Sequence, residues 1–429
     1  MDPLEEWSTA RPAGRNPSGE RTLAEQYDAV LLDLDGVLYR GDAPIEGAAA
    51  TLSRLRELGI PRLFLTNNSS RTPGEVARSL RALGIEAEPG EVLTSGAATA
   101  ALLRRQGHAG GTAFVIGEAG LREPLEEAGV RLVDGGDGTA DLVVVGLDRS
   151  VDYAKLRTAA LLLQRGARLV ATNSDASYPA PDGLWPGAGA ILAAVTTATG
   201  AVPEVVGKPE RPLFRAAAEA TGARSPLVVG DRLETDVAGA EGMGWDSLLV
   251  MSGASTLADL IGLPHEPTYI GRDVSSLLDD RPPARFRQAR VSDVLALRDL
   301  LEAASLGAAG VEDRLAQTLV APERSPGAVL AAAACLLDVG DGLGLLRSVA
   351  VDPLVRGSGL GTLAVAAALR KARLSGLSVV HLFTEGAEPF FERLGFARTD
   401  RERLPPSVAG NPQALEECAA NAVPMTLRL

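Results

Sequence analysis

The chain has 429 residues, 46% of them hydrophobic, and a formal net charge of -13. That length exceeds one ordinary domain of roughly 100 to 200 residues, so two or three domains are expected. The acidic balance argues against nucleic acid or an anionic membrane as partner, because both select basic surfaces; small charged substrates remain open.

Residues 1–22 are rich in Pro, Gly, Arg and Ser without periodicity and read as a disordered arm, and MDPLEEW carries acids where a secretory signal needs positive charge. From Tyr27 onward short apolar strands alternate with helices: AVLLDLD (29–35), a helix near 46–58, RLFLT (62–66) and a helix near 73–83. That alternation is the pattern of a parallel sheet with crossover helices. TAFVIG (112–117), DLVVVG (141–146) and RLVAT (168–172), with a helix near 153–165, form a separate set long enough for a compact insert. The first pattern resumes at EVV (204–206), LVVG (227–230) and SLLV (247–250). DDRPPARFRQ (279–288) is polar, charged and doubly proline-bearing, hence a linker. Beyond it a strand, Asp293 as helix cap and an amphipathic helix open another domain.

The longest apolar run, AVLAAAACLL (328–337), is about half the ~20 residues that span a bilayer. Cys335 and Cys418 are too few for a disulfide framework, which fits a reducing, cytoplasmic setting. His108, His265 and His381 are scattered, so histidine-based hydrolysis and His-rich zinc sites are not expected.

Two acids one residue apart, Asp33 and Asp35, close the first strand and are followed by Gly36. In an open α/β sheet, ligands sit beyond the carboxyl ends of the strands, which is where these acids fall. For the Asp-Gly pair alone a polar strand end with a turn is the better reading, but three further segments join it. RLFLTNNSSR ends a strand with Thr66 and Asn67, small hydrogen-bonding groups suited to phosphate oxygens. VVGKPERP places Lys208 between a strand and a helix, and LVVGDRLETDV supplies Asp231 and Asp236, acids able to ligate a hard cation. Together they make a constellation for Mg2+-assisted phosphoryl chemistry.

DLDGVLY, TNNSSR, GKPE and GDRLETDV, in that order, resemble the four motifs of the haloacid dehalogenase superfamily. GDRLETD followed by GAEGMG, and the insert between TNNSSR and GKPE, resemble its C2-capped phosphatases. The resemblance implies Asp33 as nucleophile forming an aspartyl-phosphate, and Asp35 as general acid and then base. It implies Mg2+ held by Asp33, the Asp35 carbonyl and Asp231, with Asp236 orienting that shell, and Lys208, Thr66 and Asn67 on the phosphoryl group. Within the family's specificity loop (171–189), Tyr178, Asp182 and Trp185 are the candidate substrate contacts.

LLRSVAVDPLVRGSGLGTLAVAAALRKARLSG turns from a strand through a glycine-rich loop into a helix, a layout that lets backbone N–H groups approach an anion. GSGLG lacks the third-glycine spacing of the dinucleotide fingerprint. The segment instead resembles the acetyl-CoA motif of the GNAT acetyltransferases, implying Val351, Arg356, Gly357, Ser358, Gly359 and Gly361 as cofactor-binding residues. EPFFERLGFART fits the same family, but Phe390 and Phe391 stand where many relatives have a tyrosine acid, and no base can be picked out. Acetyl transfer, as main or second activity, and a purely structural C-terminal domain are the alternatives.

The expected fold is therefore α/β: a Rossmann-like parallel-sheet hydrolase core (23–107 and 203–278) with an inserted α/β cap (108–202), then a linker (279–288) and a C-terminal GNAT-like α+β domain (289–429). Its order of domains resembles actinobacterial glycerol-3-phosphate phosphatases, which implies a small phosphorylated metabolite, glycerol 3-phosphate, as substrate. Mg2+ and acetyl-CoA are the implied ligands, and a homo-oligomer is compatible with the sequence.

Overall fold

The computed structural model describes residues 22–135, 138–180, 182–262, 264–278, 286–322, 330–353, 356, 360–411 and 421–429. Most of the expected arm (1–22) and of the expected linker (279–288) lies outside them. The chain forms two compact units, one of residues 20–254 with 271–280, the other of 281–429 with 255–270.

In the first unit five parallel strands lie in the order Val92–Thr94, Arg62–Thr66, Val30–Leu32, Leu227–Gly230, Ser247–Val250. Val30–Leu32 is the buried middle strand, with Leu31 opposite both Leu63 and Val228. Apolar runs on strands flanked by helices on both faces need no alternation, which is why VLL and LVVG read as continuous hydrophobic segments. Helices Ala48–Glu57, Pro73–Ala82 and Arg211–Thr221 belong to these crossovers. The second starts where the sequence is written to start a helix: Thr72 caps, Pro73 follows, and Glu75 returns the bond to the Thr72 N–H.

The insert builds a second parallel sheet, in the order Glu204–Val205, Arg168–Ala171, Leu142–Val145, Thr112–Ile116, Arg131–Val133. Its strands sort their side chains by alternation: Leu142 and Val144 join an apolar cluster shared with Leu31, Leu63 and Phe214, whereas Val143 and Val145 pack with Ile191 and Leu192 on the opposite face. One continuous core thus runs from the hydrolase sheet to the cap sheet. The proline- and glycine-rich stretch expected as a loop contains a hairpin, Ser177–Ala180 with Gly183–Pro186.

The other unit holds a seven-stranded mixed sheet: Arg287–Gln288, Thr318–Pro322, Leu330–Asp338, Leu343–Val351, Val379–Thr384, Val423–Arg428, Ala397–Arg398. Only the Leu343–Val351 and Val379–Thr384 pairing is parallel, with register from Leu343↔Val379 to Leu345↔His381. Helix Leu360–Leu374 buries Ala364, Ala368 and Leu369 against one face. Residues 255–270 cluster with this unit, where Arg370 donates to the Pro264 and His265 carbonyls.

Asp293 does not cap by its side chain. Its backbone is already helical (φ -89°, ψ -8°), and its carboxylate instead accepts from both Arg287 guanidinium nitrogens at 2.7 and 2.9 Å and from the Arg290 N–H. No helix among the described residues is long and apolar enough to cross a membrane.

Candidate active site

Strand ends bring the carboxylates together. Asp33 follows the middle strand and its N–H still donates to the Val229 carbonyl at 2.8 Å, so the ladder fixes its backbone. Gly36 then turns the chain with φ +80°, and a side chain there would collide with the Asp231 carboxylate; only glycine permits both the bend and the close approach. Asp231, at the tip of the adjacent strand, is held by the Ala254 N–H at 2.6 Å. One oxygen each of Asp33, Asp231 and Asp236 lies within 4.8 Å of the others.

Lys208 enters this cluster from the turn after the cap. Its side chain is 4% exposed, and Nζ donates to Asp33 Oδ1 and, at 2.7 Å, to Asp236 Oδ1. Burial works against that cation, but Asp236 and Asp33 more than offset it, so Lys208 stays charged and its pKa is raised. Asp33 is pushed up to about 7 by burial, against the pull of Lys208 and with added repulsion from Asp236 and Asp231. Burial, then Asp236, raises Asp231 to about 6. Three clustered acids facing one lysine leave negative charge uncompensated. Asp231 Oδ1 is moreover buried with no hydrogen-bond partner. A hard, oxygen-seeking divalent cation satisfies that orphan acceptor and offsets the repulsion, so the donor set fits Mg2+.

Asp236, expected beside the metal, belongs to the acid cluster but already accepts within the protein from Lys208 Nζ, from the Arg232 N–H at 3.2 Å and from the Thr235 hydroxyl at 3.3 Å. Asp35 sits at the solvent side, where Gly36 leaves it. The crevice walls still desolvate it enough to raise its pKa, against Arg232 and hydrogen bonds from the Gly36 and Gly41 backbone.

Thr66 accepts from the Asn68 N–H at 3.1 Å and lies at the same strand end. The Asn67 amide faces Lys208: Oδ1 accepts from the Lys208 N–H at 2.8 Å, while Nδ2 donates to the Lys208 carbonyl and to Asp175 Oδ2, each at 3.0 Å. Both amide hydrogens are therefore spent on protein acceptors.

Asp175 and Asn173 were not singled out in the sequence. Asn173 Nδ2 donates to the Asn67 carbonyl at 2.6 Å and to Asp175 Oδ2 at 3.1 Å. A signal was there: RLFLTN (62–67) and RLVATN (168–173) end two strands in the same way, and the structure sets their asparagines side by side. Tyr178, Asp182 and Trp185 are brought together in the cap hairpin. Tyr178 stands opposite Trp185 with ring centroids 6.2 Å apart, edge to face, and Trp185 Nε1 donates to Asp182 Oδ1 at 2.7 Å. Trp185 is 42% exposed, and these polar and ring contacts run among the three residues.

In the other unit, Arg356 Nε makes one long hydrogen bond, 3.4 Å, to the Val351 carbonyl. Gly361 lies where an added Cβ would sit 3.4 Å from Phe390, and Phe390 packs edge to face on Phe391. Gly357, Ser358 and Gly359 lie outside the described residues.

An acid cluster at strand tips with a buried lysine, beside an inserted cap, defines a phosphoryl-handling hydrolase. Residues 30–131 match the haloacid dehalogenase-like hydrolases, 205–277 a HAD-hydrolase-like family, and 285–396 the acetyltransferase (GNAT) family. The chain belongs to the haloacid dehalogenase-like hydrolases; it is an enzyme of their phosphatase class, with Mg2+ as cofactor, and carries a GNAT-family domain after the hydrolase unit.

It is 41% identical to an acid sugar phosphatase of Staphylococcus aureus over 256 residues, covering 59% of this chain and 98% of that protein. Among solved structures it is similar to glycerol phosphate phosphatase from Mycobacterium tuberculosis in complex with magnesium, with a TM-score of 0.68, 32% identity and coverage of 87% of this chain and 98% of that one. A p-nitrophenyl phosphatase from Archaeoglobus fulgidus gives 0.55 and 33%, over 59% of this chain and 98% of that one.

Proposed function

We propose that the first unit hydrolyses phosphomonoesters of small polyol metabolites, glycerol 3-phosphate foremost, through a phosphorylated Asp33. The observation that carries this reading is the seating of Asp33 between a charged, buried Lys208 and two further acids, at the carboxyl ends of the sheet. A carboxylate oxygen of Asp33 attacks phosphorus as the ester P–O bond breaks, and Asp35 gives its proton to the departing alkoxide. Water then attacks the phosphorus of the aspartyl-phosphate while Asp35 takes a proton from it, which releases phosphate and restores Asp33. A carboxyl whose pKa is raised and which reaches solvent suits such alternating work.

Lys208 holds the Asp33 oxygen in place and sets positive charge beside the transferring group. Asp33, Asp231 and the Asp35 carbonyl would hold magnesium, with Asp236 behind them, and the ion would supply charge neutralisation for the dianionic ester. With the Asn67 amide spent on Lys208, its phosphate contact falls to its backbone N–H, beside the Thr66 hydroxyl. Glycerol 3-phosphate is supported by the activity in the name of the M. tuberculosis relative, which matches across both units, and the sugar phosphates of the staphylococcal relatives share its polyol chemistry. The test is a panel of phosphorylated polyols, aromatic phosphate esters and nucleotides with purified protein and Mg2+. Preference for glycerol 3-phosphate supports the assignment, and preference for an aromatic or nucleotide ester defeats it.

For the GNAT-family domain we infer acetyl-CoA as ligand, with Val351, Arg356 and Gly361 at the strand-to-helix turn. The parallel register of the two central strands ends at Leu345↔His381, so the backbone beyond is available to a strand-like ligand. Calorimetric titration with acetyl-CoA, followed by an amine panel, separates binding, transfer and a purely structural role.

A further inference from the structure

Lys208 cannot be set in place by its own charge partners alone, because a four-carbon side chain between two acids leaves its backbone free to shift. The fixing element is the Asn67 amide, which grips both the N–H and the carbonyl of Lys208. The fit is close: a Cβ at Gly207 would lie 2.6 Å from Asn67 Oδ1 and 2.6 Å from the Thr172 carbonyl. That amide is itself oriented by the cap. Asp175 Oδ2 receives the remaining Asn67 hydrogen at 3.0 Å and, at 3.1 Å, the Asn173 amide, whose nitrogen also meets the Asn67 carbonyl. Two amides sharing one carboxylate oxygen make charge-assisted bonds, stronger than amide–amide pairing.

The rest of the Asn67 loop is clamped from the same side. Leu147 N–H and Thr172 Oγ1 both donate to Ser69 Oγ at 3.1 Å, and Gly120 N–H donates to the Ser70 carbonyl at 3.2 Å.

We propose that Asp175 is a positioning residue for phosphoryl transfer: from the cap it orients Asn67, which fixes the Lys208 backbone and so the placement of Nζ against Asp33. The inference rests on the phosphatase reading. It assigns Asp175 an action through Asn67 and not a contact with the alcohol that leaves, so its effect is independent of which ester is cleaved.

The experiment compares wild type, Asp175→Ala and Asp175→Asn, each in full-length protein with Mg2+, on p-nitrophenyl phosphate and glycerol 3-phosphate, with thermal melts in parallel. Misplacing a catalytic group costs on the order of tenfold to a hundredfold in rate, so Asp175→Ala should lose that factor in kcat, equally on both esters, at temperatures well below its melt. Asp175→Asn keeps an acceptor without the charge and should lose severalfold, again equally; it carries the test if the alanine variant does not fold. Wild-type kcat in both variants, or losses differing tenfold between the esters, overturns the proposal.

Calorimetric binding of inorganic phosphate with Mg2+ separates this inference from the reading beneath it. If wild type turns over no ester, the hydrolase reading falls, and phosphate binding weakened about tenfold in Asp175→Ala still supports positioning of Lys208. Equal phosphate affinity in variant and wild type, or no binding in any of them, overturns it.

Discussion

The side chains of the hydrolase crevice and the described Arg356 of the GNAT-family domain are held in opposite ways. In the hydrolase crevice charge is packed against charge: Lys208, Asp231 and Asp236 are 4, 3 and 2% exposed, and each of their side-chain polar atoms but one has a protein partner. After Val351 in the GNAT-family domain, Arg356 is exposed and ties to the chain by one long hydrogen bond. A buried ionic cluster is costly to assemble and is kept where chemistry needs preorganised charge.

The sharpest way to break this contrast is to remove its centre. Asp33→Asn leaves a fold held by the same strand pairing but no nucleophile, and kcat should drop by at least about 10⁴-fold on any phosphate ester. Retained Mg2+-dependent turnover would mean the crevice is not the engine.

Next in size is Lys208→Ala. It leaves Asp33 and Asp236 buried without their cation, so urea denaturation should show a loss of about 3 to 5 kcal/mol together with loss of turnover. A variant as stable as wild type would mean the pair carries no stability.

The GNAT-family domain has an organised charge pair too, but on its edge strand. Asp293 is held below the usual carboxylate range, chiefly by its hydrogen bonds from Arg287. A depressed folded pKa gives stability that is complete above the unfolded value of about 3.9 and is lost as pH falls through the lower folded value. Asp293→Asn should therefore cost about 1 kcal/mol at neutral pH, with the difference from wild type closing as pH falls below about 4. Melts from pH 7 to 3 check it. Smallest of all, Arg356→Ala should change stability by no more than about 0.5 kcal/mol, in the same melts.

The hydrolase fold was legible because its strands are short apolar runs closed by acids, threonine and asparagine, a combination that a buried strand does not carry without a ligand beyond its end. The partnership of Lys208 with Asp33 and Asp236 was legible only through the motif order, since a lone lysine in sequence is usually a solvated charge. Asp175 was not legible because one acid in a polar, proline- and glycine-rich loop carries no local mark of the Asn67 amide, over a hundred residues earlier, that it meets. Tyr178 and Trp185 pair across a hairpin, as opposed aromatic residues in adjacent strands do.

Asp293 looked like a helix cap because it precedes an amphipathic run. Which partner a carboxylate takes depends on Arg287 and on a backbone already turned helical, and local pattern does not encode that competition.

The most direct test is a rapid acid quench of the enzyme turning over glycerol 3-phosphate with Mg2+, followed by peptide mass analysis of the segment containing residues 27–41. The mechanism requires one transient phosphoryl group on Asp33 that forms and decays at the rate of turnover. Phosphate release at full rate with Asp33 never modified, or with the phosphoryl group on another residue, would contradict it.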